Sequence, residues 1–65
     1  MNANDPVIIQ RITRNLRDFG YSGLREQTVK DAVEALLRGE KPVDIIGMMA
    51  ETMLRQANLL EREEP

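Results

Sequence analysis

The sequence predicts an all-α fold: a compact three-helix domain with short connectors. Three segments carry apolar residues at helical spacing, and glycine or proline residues separate these segments into helices of ordinary length. The length of 65 residues fits one small domain. With 42% hydrophobic and 31% charged residues, the composition is that of a folded chain rather than a disordered one.

The first helix is predicted from Pro6 to Phe19. Asp5 is a favourable N-cap, and Pro6 suits the first helical position, where its missing N–H costs nothing. Gly20 ends the segment. The apolar residues of this helix form one narrow stripe: Ile8, Ile9, Ile12, Leu16 and Phe19.

A short strand is the alternative for the same segment. Ile8, Gln10 and Ile12 could form a β-ribbon, and the two later helices would then complete a ribbon–helix–helix dimer, whose second half the chain resembles. A strand would put Arg14 on the face of Ile12, whereas the helical period explains every apolar position. The helix is therefore the favoured interpretation.

The second helix is predicted from Leu24 or Glu26 to Arg38. The third is predicted from Ile45 to Leu60, with Asp44 as its N-cap and fraying near Asn58. Connectors of four or five residues make neighbouring helices antiparallel or steeply crossed. Residues 1–60 are expected to form the domain, and residues 61–65 an acidic mobile tail. The predicted core is Ile8, Ile12, Leu16, Phe19, Val29, Val33, Leu36, Met49 and Met53.

Cysteine and histidine are both absent from the sequence. Their absence excludes disulfides, thiolate metal sites, and the commonest zinc ligand and general base. Ser22 is the only serine, and no histidine is present to complete a catalytic triad with it. We therefore expect a protein that is not an enzyme and has no cofactor, no metal and no small-molecule substrate.

Charge and hydropathy limit the partners and the location. The net charge of −2 argues against binding nucleic acid by bulk electrostatics. No apolar run approaches the length of a membrane span, and no signal peptide opens the sequence. These observations predict a cytoplasmic protein that does not bind membranes.

The third helix is apolar over roughly two-thirds of its circumference, whereas a surface helix needs about 100°. The central stripe is assigned to the core: Ile46, Met49, Met53, Ala57 and Leu60. The remaining small or apolar residues are expected to form an interface with a protein partner, most simply in a homodimer: Gly47, Met48, Ala50, Leu54 and Leu59. Small domains without disulfides or metals often depend on such assembly.

Arginines recur every three residues on the first helix. Arg11, Arg14 and Arg17 form a stripe beside the apolar face, and Arg25 follows on the next segment. Guanidinium groups bind both phosphate and carboxylate. These four arginines are therefore candidate contacts to phosphate or to an acidic partner, with nucleic acid as the less favoured of the two.

One resemblance covers about half of the chain. The run from Leu37 to Glu40, followed by Asp44 to Ile46, is similar to the second half of small helical antitoxins that inhibit Fic-domain enzymes. Those antitoxins carry an inhibitory helix with a serine or threonine four residues before a glutamate. Ser22 and Glu26 have this spacing, although Gln27 follows where the family has glycine or asparagine. The resemblance does not assign the chain to the family.

The sequence predicts a small protein–protein interaction or regulatory module, of the adaptor or inhibitor type. It would act through the apolar third helix and the arginine-rich first helix. Two alternatives stay open at this stage. One is a DNA-binding transcriptional regulator, either ribbon–helix–helix or helical, and the other is an antitoxin-like inhibitor of an enzyme.

Overall fold

The computed structural model describes residues 2–60, which form three α-helices. Helix α1 spans Pro6–Phe19, α2 spans Glu26–Leu37 and α3 spans Ile45–Gln56. None of the described residues lies in a β-strand. The all-α prediction is therefore confirmed, and the ribbon–helix–helix alternative is wrong, because α1 includes the whole proposed strand. The predicted acidic tail lies outside the described residues.

Two of the three helices begin at an aspartate N-cap. The Asp5 carboxylate accepts a hydrogen bond from the Val7 N–H at 3.0 Å, and the Asp44 carboxylate accepts one from the Gly47 N–H at 2.9 Å. Each carboxylate satisfies a backbone donor that the first helical turn leaves without a partner. The N-cap of α2 is different: Arg25 occupies it and makes no capping hydrogen bond with its side chain.

Each helix ends in the same Schellman motif. Its C′ residue has a positive φ: 141° at Gly20, 89° at Gly39 and 58° at Asn58. The next residue donates its N–H to a carbonyl in the last turn: Tyr21 to Leu16 at 3.0 Å, Glu40 to Ala35 at 3.1 Å, and Leu59 to Leu54 at 2.8 Å. Glycine and asparagine tolerate this backbone region better than other residues. The helix ends are therefore encoded locally.

The motif at the end of α2 yields a stability prediction. Gly39→Ala is expected to cost about 1–2 kcal/mol, because a Cβ is strained at positive φ. Gly23→Ala is the control: Gly23 lacks a positive φ, and an added Cβ there meets no atom within 4 Å. That variant should gain about 0.4–1 kcal/mol by restricting the unfolded chain. Urea unfolding curves measure both changes, and equal effects at the two positions would contradict the local-encoding argument.

The core lies between the three helices, and α2 packs against both others, most extensively against α3. Six of the nine predicted core residues are buried: Ile8, Ile12, Leu16, Val29, Val33 and Leu36. Ala3, Ile9 and Thr13 are buried as well, although the predicted core omitted them. The buried Thr13 hydroxyl is satisfied because it donates to the Ile9 carbonyl at 2.7 Å.

The predicted orientation of α3 is wrong. Its buried side holds Gly47, Ala50 and Leu54, which were assigned to an exposed interface. The predicted stripe lies at the edge of the core instead: Ile46, Met49, Met53 and Leu60 are partly buried, and Ala57 is exposed. The small residues allow close packing, since a Cβ added at Gly47 would lie only 3.0 Å from the Pro42 Cβ.

Phe19 was also assigned to the core, yet it is 70% exposed. The chain turns directly after it, and Tyr21 and Leu24 pack against this end of the core in its place. The Phe19 ring stacks on Tyr21, with centroids 6.4 Å apart and ring planes at 19°. The only phenylalanine of the chain therefore lies on the surface.

Candidate interaction surfaces

The first candidate site is an apolar surface at the start of α3, formed by Val43, Ile45 and Met48. These side chains are 97%, 50% and 53% exposed, respectively. Ile45 and Met48 are three residues apart and therefore neighbours on one helix face. Val43 lies two residues before Ile45, in the α2–α3 connector. We call this set the apolar α3 surface.

Of the five predicted interface residues, only Met48 belongs to this surface. Gly47, Ala50 and Leu54 are buried in the core of the chain itself and are not available to a partner. Leu59 is partly buried against the same core. Exposed apolar area is thus present on α3, but it lies around Ile45 and Met48 and not around Leu54.

Polar groups border the apolar α3 surface toward the end of the helix. The Thr52 hydroxyl donates to the Met48 carbonyl at 3.1 Å, and Glu51 pairs with Arg55 at 3.3 Å. The two side chains of this ion pair are partly buried, with 28% and 30% of their surface exposed. An apolar centre with a polar border is the usual arrangement of a protein interface.

The four candidate arginines are all exposed, as the sequence predicted. Arg11, Arg14 and Arg25 form no ion pair within residues 2–60. Arg17 differs, because its Nε donates to the Leu24 carbonyl at 2.7 Å and so ties α1 to the α1–α2 connector. This hydrogen bond also brings the Arg17 guanidinium next to the backbone of Arg25.

The aromatic pair and two of the arginines lie near the α1–α2 connector. Phe19 and Tyr21 stack at the end of α1, and the Arg17 Nε donates to the carbonyl of Leu24, the residue before Arg25. Residues two apart on a helix do not face each other, so Arg17 and Phe19 point to different sides of α1. This connector lies at the N-terminal end of α2, about 18 Å along the helix axis from its C-terminal end, beyond which the apolar α3 surface lies.

A shallow groove of about 210 Å³ lies between the starts of α1 and α2. Its lining is mixed in polarity: Asn4, Pro6, Ile9, Glu26, Gln27 and Lys30. Within the described residues, no group of acidic side chains is arranged to hold a metal ion. No described helix is long and apolar enough to cross a membrane.

The antitoxin-like spacing does not correspond to an inhibitory helix. Ser22 lies in the turn of the α1–α2 connector, and Glu26 is the first residue of α2. The two residues therefore do not share one helical face, as the family motif requires. Comparison of the chain with family models, curated proteins and solved structures gives no match.

Proposed function

We propose that the protein is a small, non-enzymatic interaction module of the adaptor or inhibitor type, which binds another protein through the apolar α3 surface. One observation carries this proposal: Ile45 and Met48 are neighbours on one helix face and about half exposed, and Val43, two residues before α3, is 97% exposed. Single exposed apolar side chains are ordinary, whereas larger apolar patches mark interaction sites. The unbranched thioether of Met48 also adapts its shape to different partners.

A second copy of the chain is the simplest partner for this surface. The exposed fractions of these three residues add up to about two whole side chains. Burial of one such side chain contributes about 1.5–3 kcal/mol. Two copies together would gain about 6–12 kcal/mol, against an association cost of about 4–15 kcal/mol. These terms nearly cancel, so we expect a weak, reversible homodimer that a better-fitting protein partner displaces.

Sedimentation across a range of protein concentrations tests self-association. We expect wild type to shift from monomer to dimer at high concentration and Met48→Glu to stay monomeric, because a buried unpaired charge is strongly disfavoured. Gln10→Glu is the matched control, since it adds the same charge at an exposed position on α1. A wild type that stays monomeric throughout, or a dimer that Met48→Glu leaves intact, would rule out a dimer through this surface.

Site-specific crosslinking tests the wider proposal of a protein partner. A photo-crosslinkable residue at position 48 is expected to yield covalent adducts with a discrete protein in cells of the source organism. The same residue at position 28, which is exposed on α2, serves as the control. Absence of adducts specific to position 48 would contradict the proposed function.

A further inference from the structure

We propose that Met48 is an oxidation site, and that its conversion to the sulfoxide by a peroxide weakens association through the apolar α3 surface. The inference rests on the proposed function, because it assigns a form of regulation to the same surface. The peroxide transfers one oxygen atom to the Met48 sulfur: the O–O bond breaks, an S–O bond forms, and two electrons pass from sulfur to the peroxide. Hydrogen peroxide then leaves as water, and an organic peroxide leaves as its alcohol.

The composition of the chain directs a peroxide to methionine. Cysteine thiolates and methionine thioethers are the sulfur groups of proteins that peroxides oxidise. The sequence contains four methionines and no cysteine. No thiolate of the same chain therefore competes with the thioethers for the oxidant.

Exposure selects Met48 among the methionines of residues 2–60. Met48 is 53% exposed, whereas Met49 and Met53 are partly buried and pack against the core. A peroxide must reach the sulfur to react, so Met48 is expected to be oxidised first. Because the side chain of Met48 borders solvent, the added oxygen contacts water in the single chain, and the fold tolerates the sulfoxide.

The side chains next to Met48 along the chain offer the sulfoxide oxygen no free hydrogen-bond donor. Residues three and four positions away are its neighbours on a helix. Ile45 is apolar, and the carboxylates of Asp44 and Glu51 are acceptors. The Thr52 hydroxyl already donates to the Met48 carbonyl at 3.1 Å. The sulfoxide oxygen is a polar acceptor, and it therefore depends on water for its hydrogen bonds.

This dependence on water opposes self-association. In the homodimer the apolar α3 surface of the second copy would cover Met48, so both sulfoxide oxygens would lose water without gaining a donor. The thioether has no such requirement, and it packs against apolar groups. Association in turn shields the Met48 sulfur from peroxide, so the oxidant acts on the free chain.

Peroxide treatment with two readouts tests the inference. Tandem mass spectrometry of proteolytic peptides gives the oxidised fraction of each methionine after treatment with hydrogen peroxide, and sedimentation gives the dissociation constant of the dimer. Met48 is expected to be oxidised before Met49 and Met53. Its oxidation should weaken self-association about tenfold or more, because each dimer would bury two unpaired sulfoxides. Methionine sulfoxide reductases should restore the dimer. Circular dichroism verifies that the oxidised chain stays folded.

Two variants separate Met48 from the other methionines. Met48→Leu has no sulfur at this position, so its self-association should be the same before and after peroxide. The double variant with Met49→Leu and Met53→Leu keeps Met48, and peroxide should weaken its self-association by the same factor as in wild type. Both variants retain Met1, whose oxidation is thereby controlled.

Three outcomes would overturn the inference: oxidation of Met49 or Met53 ahead of Met48, a dimer that persists when Met48 is oxidised, or an equal loss of dimer in Met48→Leu. A wild type that is monomeric before peroxide is added would contradict the proposed homodimer itself, and the inference would fall with it. The two failures are therefore distinguishable in one set of samples.

Discussion

Leu54→Ala is expected to leave the chain largely unfolded. The Leu54 side chain is 1% exposed, and removal of such a side chain costs about 2–5 kcal/mol through lost burial and the remaining cavity. A domain of this size has about 3–5 kcal/mol of stability in total. Far-ultraviolet circular dichroism during thermal unfolding measures the loss of helix.

Met48→Ala is the control on the same helix. Met48 is 53% exposed, and its truncation should shift the unfolding midpoint only slightly. The pair of variants therefore reports which side of α3 faces the core. If Met48→Ala were the more damaging change, the observed orientation of α3 would be contradicted.

Leu16→Ala is expected to have a comparable effect, because Leu16 is fully buried in the core. The expected cost is again about 2–5 kcal/mol. Phe19→Ala removes more atoms from a position one turn later, yet it should cost much less, because the Phe19 ring is mostly in solvent. Urea unfolding measures both values. Similar losses for the two variants would show that Phe19 packs more deeply than described.

The sequence predicted the helices well because their ends are set by local chemistry. The bounds of α1 are as predicted, α2 ends one residue earlier than predicted, and α3 starts as predicted and ends four residues earlier. Aspartate caps, glycine at positive φ and the proline at the first position of α1 all act within a few residues. Such signals need no knowledge of the tertiary structure.

The packed side of α3 could not be derived from periodicity, since apolar residues occur around most of the helix. The prediction assigned to the core the side of α3 with the largest apolar side chains, which include Ile46, Met49 and Met53. The fold instead buries Gly47 and Ala50, and the missing Cβ at Gly47 lets Pro42 of the connector approach closely. The sequence signal for the buried side of α3 was the pair of small residues Gly47 and Ala50, three residues apart and followed by Leu54.

The candidate sites were predictable in part. The arginines lie on the surface as expected, because an uncompensated charge is not buried. The hydrogen bond from Arg17 to Leu24 depends on how the connector folds back, which no spacing in the sequence reveals. The same turn displaces Phe19 from the core, so the stacking of its ring on Tyr21 appears only in three dimensions.

The three Schellman motifs also bear on how quickly the chain folds. Each motif joins residues within one segment, so each helix can stop at its proper end before any two helices meet. Small helical domains with contacts between near neighbours in sequence fold within microseconds to milliseconds. On that timescale the apolar residues of α3 would be exposed only briefly in a newly made chain. Rapid closure of the core therefore limits the time in which they could aggregate with another unfolded molecule.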